Sequence, residues 1–299
     1  MAERNVTEFG VNAGATYVVL LQDEDLDRLD EHLPEREGNF HLYFIGRRPR
    51  ISVSVAHFQF TPTLIQGRFL VQRGMNLEPH DFECAQFEAT PAVALESEWP
   101  HTSFRFNDKD GKAILEGRAA LIAPLLASSL ERDAAIEILY VGQSYGEQGE
   151  LSAEGRLQKH ATLQKILGET SRRSPDQEVW LLLAEFDAVL ATSISGKLAN
   201  ALDADTAAEG RKIAAVTERT FSGKQFVAFV EAAFINYFQP PFNKTFRELF
   251  PHPSHSTYRE YYDIDLNALT VRDRNCMSWD LAILAVSRKE FASHGIVQS

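Results

Sequence analysis

Glu231 is the sole acid in the run FVAFVEAAFINYF, residues 226–238. Burying a carboxylate costs several kcal/mol unless it is paired or bound to a cation. Two readings follow: an ion pair with an arginine from elsewhere in the core, or a metal ligand directed into a site. Arg156 and His160 stand four residues apart within a helix predicted over Ser152–Leu167, so they share one helical face. Such a pair can hold a phosphate, because the guanidinium fork stabilises negative charge and the imidazole moves protons near neutral pH. An arginine and a histidine on a helix are more often a solvated face. Tyr140 lies near the end of IEILYVG, residues 136–142, a predicted strand, and strand ends are where sites gather; its plainer reading is a core aromatic. Asn243 follows Glu231 by twelve residues, beyond Pro240 and Pro241.

Other candidates are weaker. His252, His255 and Tyr258 in FPHPSHSTY have an HxxH spacing but no evident third ligand, which favours a surface loop. Arg47, Arg48 and Arg50 form the clearest basic cluster, on a turn between two predicted strands. They either contact phosphates or are solvated. Lys159, Lys165, Arg172 and Arg173 add a basic track on or after the Arg156 helix.

The elements that position these residues change character along the chain. Residues 15–22 read as a strand and 23–33 as a short helix with an acidic outer face. Segments 39–46, 51–60, 64–74 and 103–108 alternate between Gly, Pro, Asn and Asp punctuation, which predicts a β-rich N-terminal region over 1–114. From 115 onward the order is an apolar run, a strand at 136–142, the Arg156 helix, an apolar strand region at 179–192, a helix at 207–219, and an apolar helix at 224–238 stopped by the two prolines. A strand within YYDIDLNALTV and a last helical piece over Trp279–Val286 are expected in the tail.

The bulk numbers set bounds. With 299 residues, 44% of them hydrophobic and 24% charged, the chain can bury a sizeable core in one large or two medium domains. Cys84 and Cys276 form neither a CxxC pair nor a zinc spacing, so a disulfide framework is not expected and a reducing cytoplasm fits. The first ten residues lack a signal-peptide pattern, and the longest apolar run, near Ala119–Leu126, is too short to span a bilayer. The net charge of −12 argues against tight unspecific binding to DNA, although a local basic face can exist on an acidic body.

Taken in order, Leu139-Tyr140-Val141-Gly142-Gln143-Ser144, then Gly155-Arg156-Leu157-Gln158-Lys159-His160, then Glu231 with AAFINYFQPPF and Asn243, resemble the motifs of the GIY-YIG nuclease superfamily. The resemblance covers roughly residues 115–250 and rests on order and spacing. With the β-rich N-terminal part read from its residues as a domain over 1–114 for recognition or oligomerisation, the expected chain is α+β, and for residues 115–299 the resemblance implies a small GIY-YIG-like domain with insertions and a C-terminal extension. That second domain is expected to hold a three-stranded antiparallel sheet flanked by helices. The implied activity is metal-dependent cleavage of DNA phosphodiester bonds, with restriction or phage defence as settings. Glu231 would bind Mg²⁺ or Mn²⁺, Arg156 would clamp the scissile phosphate, Tyr140 and His160 would position or deprotonate water, and Asn243 would orient the phosphate or brace its loop. The family places a second tyrosine on the strand before YVG. GRAALIAPLLASSLERDAA, residues 117–135, contains none. Ser128 or Ser129 stands near that place, and Tyr145 is an alternative. The competing expectation is a catalytically weak GIY-YIG-like binding or assembly module.

Overall fold

The structure, a computed structural model, describes residues 7–29, 40–87, 89–133, 135–144, 157, 160–194, 214, 223–247, 266–273 and 284–285. In chain order the strands are β1 (Thr7–Leu21), β2 (Leu42–Pro49), β3 (Ile51–Val53), β4 (Gln59–Phe60), β5 (Leu64–Arg73), β6 (Asn76–Ala85), β7 (Ala94–Glu96), β8 (Ser103–Asn107), β9 (Ala113–Arg118), β10 (Glu137–Gln143), β11 (Gln177–Ile194), β12 (Leu266–Asp273) and β13 (Leu284–Ala285). The α-helices are α1 (Ala119–Leu126), α2 (Ala161–Arg173) and α3 (Gly223–Phe238). The architecture is mixed α+β and mostly sheet. Among the described residues no helix is long and apolar enough to cross a membrane.

The chain separates into two compact units. The first comprises Met1–Phe44, Leu139–Lys159 and Leu181–Ser299; the second comprises Ile45–Ile138 and His160–Trp180. The unit boundaries fall within β2, β10 and β11. Neither unit is bounded at residue 114: the β8–β9 hairpin pairs Ser103–Asn107 with residues 113–118 and so runs across that position.

The first unit is organised on a six-stranded sheet of order β10-β2-β11-β1-β12-β13. β1 pairs antiparallel with β11 and parallel with β12. β2, from the N-terminal region, lies between β10 and β11, so the neighbours of β10 and β11 are not drawn from residues 115–299 alone. β1 starts at Thr7, well before the predicted strand at 15–22. Gly10, Asn12 and Gly14 are poor strand formers, yet each is paired on both sides, and that pairing overrides local propensity. α3 covers the sheet. Phe234 meets Phe44 of β2 at 4.9 Å and Phe186 of β11 at 5.6 Å between ring centroids, and Phe238 stacks on Phe234 at 5.9 Å. Every residue from Phe226 to Ile235 is buried, which explains a helix with almost no polar stripe.

The second unit holds the four-stranded sheet β3-β5-β4 with β6 on β5, and the three-stranded antiparallel sheet β7-β8-β9. Its core is an aromatic cluster in which Phe58 meets Phe69, Phe82 and Phe106 at centroid distances of 6.3, 5.7 and 5.9 Å. Gly67 makes room for it: a Cβ there would lie 2.6 Å from Phe58 and 2.7 Å from Phe82.

Several local expectations are corrected. Residues 51–60 are not one strand. Ser54 Oγ lies 2.7 Å from His57 Nδ1 and its carbonyl accepts from His57 N–H, so a 3-10 turn over Val55–His57 divides β3 from β4. The acidic helix expected over 23–33 begins as a 3-10 helix over Asp23–Arg28, and residues 30–33 lie outside the described residues. The helix expected over 152–167 has its described body at Ala161–Arg173, where Leu163, Ile166 and Thr170 supply the buried stripe. Gly168 is accommodated within it, with nothing near its missing Cβ. Leu284 and Ala285, expected to be helical, pair antiparallel with β12. The helix predicted over 207–219 lies outside the described residues except for Ala214.

Candidate functional site

β10 is apolar through Ile138, Leu139 and Val141, all buried, and carries Tyr140 half-exposed between them. At its end the Ser144 N–H donates to His41 O at 2.9 Å, and the Ser144 hydroxyl donates to Phe40 O. These bonds tie the end of β10 to the start of β2, and at the other end Gly46 lies against Glu137, so the two strands run antiparallel and Tyr43 falls opposite Gly142. Tyr43 is buried, 1% exposed, and its ring centroid is 6.1 Å from that of Tyr140. Gly142 is required by this contact, because a Cβ there would run into the Tyr43 ring and sit 2.5 Å from its hydroxyl oxygen.

Residues 117–135 contain no tyrosine, and the tyrosine beside Tyr140 is Tyr43, on the neighbouring strand of the sheet but about a hundred residues earlier in the chain. Ser128 and Ser129 open a 3-10 turn rather than a strand, and Ser129 Oγ lies 3.2 Å from His80 Nδ1. The only local sign of Tyr43 was the strand-like segment HLYFIG, residues 41–46. Tyr145 and Arg156 lie outside the described residues, as do His252, His255 and Tyr258.

Asn243 has a definite task. Its side-chain oxygen accepts from Val141 N–H at 2.9 Å and its amide donates to Val141 O at 2.8 Å. One residue earlier, Phe242 N–H donates to Leu139 O at 3.1 Å. β10 is the edge of its sheet, and this loop closes it. The loop is set by the end of α3: Gln239 takes a positive φ of 49° after the last turn, and its side chain donates to Asn236 O at 2.6 Å and to Arg247 O at 2.7 Å. Pro240 then prevents continuation. Of the two roles implied for Asn243, bracing is the one its hydrogen bonds perform.

Glu231 is 8% exposed on α3, one turn before Phe234. It is about 60° from Phe234 around the helix, on the side that meets Phe44 and Phe186. Tyr43 adjoins Phe44, and successive strand side chains alternate, so Tyr43 and Tyr140 point to the face of β2 and β10 away from Phe234. The candidate residues of this unit thus fall into two groups: Tyr43, Tyr140, Gly142 and the Asn243 brace around β10, and Glu231 on α3, the helix that packs on the Phe44 face of β2. His160 belongs to the other unit. Its φ of −83° and ψ of 110° are extended, and it precedes α2 as N-cap, while Arg156, its predicted companion, lies outside the described residues.

No family model matches this chain, and no curated protein and no solved structure matches it.

Among the described residues no group of three or more His, Cys, Asp or Glu side chains is placed to hold a metal ion. A single buried carboxylate such as Glu231 is compatible with Mg²⁺, which keeps several waters and is commonly held by one or two carboxylates together with substrate phosphate.

The second unit contains a buried polar cluster of its own. Arg48 is 3% exposed, with its guanidinium carbon 4.0 Å above the Trp180 ring. Burial, opposed by Glu178, brings its pKa down to about 10, so it stays charged at neutral pH. Glu178 is pushed up by its own burial, against the pull of Arg50, Arg48 and Arg118. Arg50 Nε lies 3.4 Å from Glu178 Oε1. The arginine run that looked like a solvated turn is therefore divided: Arg48 is interior, while Arg47 and Arg50 reach the surface.

Proposed function

We propose that the chain is a divalent-metal-dependent endonuclease of GIY-YIG type that hydrolyses phosphodiester bonds in DNA, with restriction or phage defence as settings. The observation that carries this reading is the pair of tyrosines on neighbouring antiparallel strands, Tyr43 and Tyr140, packed over Gly142. It supplies the second tyrosine that the resemblance calls for. The helix-to-loop segment from Glu231 to Asn243 adds support, because it ends on the same strand as Tyr140.

Burial divides the labour between the tyrosines. Tyr43 is enclosed and cannot reach a substrate; it holds the Tyr140 ring in place. Tyr140, half-exposed, can position the attacking water and, as its phenolate, take the water's proton as the new P–O bond forms and the P–O bond to the leaving sugar oxygen breaks, that oxygen taking a proton from solvent. Arg156 would clamp the scissile phosphate and meet its developing charge. Glu231 would hold Mg²⁺ or Mn²⁺. The bound ion supplies charge neutralisation at the phosphate oxygens. Asn243 fixes the β10 edge and so the height of Tyr140 above the sheet.

One arrangement favours a rival, a binding or assembly module on the same framework: Glu231 is carried by α3, which packs on the Phe44 face of β2, while the Tyr43 and Tyr140 rings lie on the other face. Purified protein incubated with supercoiled plasmid and with single-stranded DNA, in Mg²⁺, Mn²⁺ or EDTA, separates the two. The nuclease reading expects metal-dependent cutting that is lost in Glu231→Gln and Arg156→Ala and falls at least tenfold in Tyr140→Phe. Cutting that survives Glu231→Gln removes Glu231 from the site, and folded protein that cuts neither substrate favours the module.

A further inference from the structure

We propose that the corner where α2 passes into β11 is a surface that contacts the phosphate backbone of duplex DNA; the identity of the partner rests on the nuclease reading above. Two basic runs far apart in sequence meet there. α2 ends in Arg172 and Arg173, both exposed, and the turn Ser174-Pro175-Asp176 leads into β11. The Arg47–Arg50 run lies alongside: Arg47 Nη1 donates to Ser174 Oγ at 3.4 Å, and Arg50 N–H donates to Asp176 O at 2.8 Å. Arg47 and Arg50 both keep solvent exposure, with 29% and 37% of their side-chain surfaces open.

The acids at this corner are largely committed. Glu137 pairs with Arg47 at 2.7 Å. Asp176 accepts from Gly74 N–H at 2.8 Å, and its carboxyl is held below the usual range first by that bond. Glu178 is mostly buried beside Arg50, with Arg48 close by. The neighbouring Arg73 is matched by Glu78 and Asp133, and Lys165 by Glu169. Arg172 and Arg173 make no ion pair among the described residues; Arg172 Nε only donates to Gly168 O at 3.0 Å. A cation at a helix C-terminus is favoured by the helix dipole, worth about 0.3–1 kcal/mol. One residue meets that need. Arg172 and Arg173 together at a single helix end, neither of them ion-paired among the described residues, on a chain of net charge −12, exceed it. Surplus arginines of this kind match a phosphate backbone, where each contact releases a counterion and makes affinity salt-dependent.

The test is fluorescence anisotropy of a labelled 20-base-pair DNA duplex in EDTA across a salt series, with a matching RNA duplex as a second arm. It compares wild type, Arg172→Gln/Arg173→Gln, and Arg105→Gln as a control from an ion-paired position on β8. Expected for the double variant are a Kd raised about tenfold near 0.1 M salt and a log–log salt slope shallower by about two. Its unfolding midpoint and the behaviour of the control should not change. Plasmid cleavage is measured on the same proteins. A double variant that binds like wild type while wild type cuts DNA overturns the surface and leaves the nuclease reading standing. Weakened binding by the double variant without any cleavage supports the surface and removes the nuclease. Wild type that binds only the RNA duplex, or neither duplex, overturns the proposal.

Discussion

β10 and β6 are both edge strands, and the protein finishes them in opposite ways. β10 lies at the rim of the six-stranded sheet, where Val141 is fully buried. Its outward backbone groups are closed one by one: Val141 by the Asn243 amide, Leu139 O by Phe242 N–H. β6, in the other unit, is open along most of its length. Leu77 is 56% exposed, Pro79 offers no N–H at all, and Glu78, Asp81 and Glu83 reach across to Arg73, Arg68 and Gln66. An exposed edge can be left to water, charge and a proline. A buried edge cannot, since an unmatched backbone group there costs about 1–3 kcal/mol. Polar residues whose only task is to complete a buried edge are therefore demanding to replace, and those on the open edge are not.

The sharpest way to break this contrast is Asn243→Ala. It leaves both polar groups of Val141 unmatched, so a loss of about 2–5 kcal/mol in urea unfolding is expected. Asn243→Asp keeps an acceptor for the Val141 N–H and should lose less. A cost below about 1 kcal/mol for the alanine would mean that water enters the edge. Gly142→Ala comes next. Its methyl group must displace the Tyr43 ring, an overpacking cost of about 1–3 kcal/mol. That cost should shrink in a Tyr43→Leu background, and equal costs in both backgrounds would show that the ring is not what Gly142 accommodates.

Glu178 asks whether burial, rather than location in one unit, is what matters. Its burial raises its pKa above the ordinary glutamate value of 4.5. The folded chain therefore holds that proton more tightly than the unfolded chain, and its contribution to stability falls as pH rises through the interval above 4.5. Glu178→Gln should flatten the stability–pH curve in that interval. An unchanged curve would place the carboxylate in a wetter setting than its burial indicates. The smallest effect is expected on the open edge. Asp81→Asn removes the 2.5 Å pair with Arg68, exposed at Asp81 and partly exposed at Arg68, and should leave the unfolding midpoint close to where it was.

The sequence made some of this legible and hid the rest for a physical reason. β10 and α3 were readable because their signals are local: an apolar run ending in Gly142, and a helix stopped by Pro240 and Pro241. The spacing of Glu231 and Asn243 was readable on the same grounds. Tyr43 was not, because strand adjacency is not sequence adjacency, and the neighbour of β10 comes from before the whole second unit. Nor did composition separate Arg48 from Arg47 and Arg50. Only its position over Trp180 shows that it is interior. β1 was read too short, since its glycines form strand only when paired on both sides.

The long excursion between Tyr43 and Tyr140 also bears on how the chain finds its fold. The segment Ile45–Ile138 belongs to the second unit, and its two ends meet within that unit: Gly46 packs against Ile136 and Glu137, and Arg47 pairs with Glu137. Bringing the ends of a flexible loop of this length together carries an entropic cost of about 4 kcal/mol beyond the constant term. A segment that has already folded with its ends side by side bears that cost from its own cohesion. It then presents Phe44 and Leu139 to each other much as a tight turn would. The two tyrosine strands can thus zip as a local hairpin despite their distance in sequence, provided the intervening unit folds first.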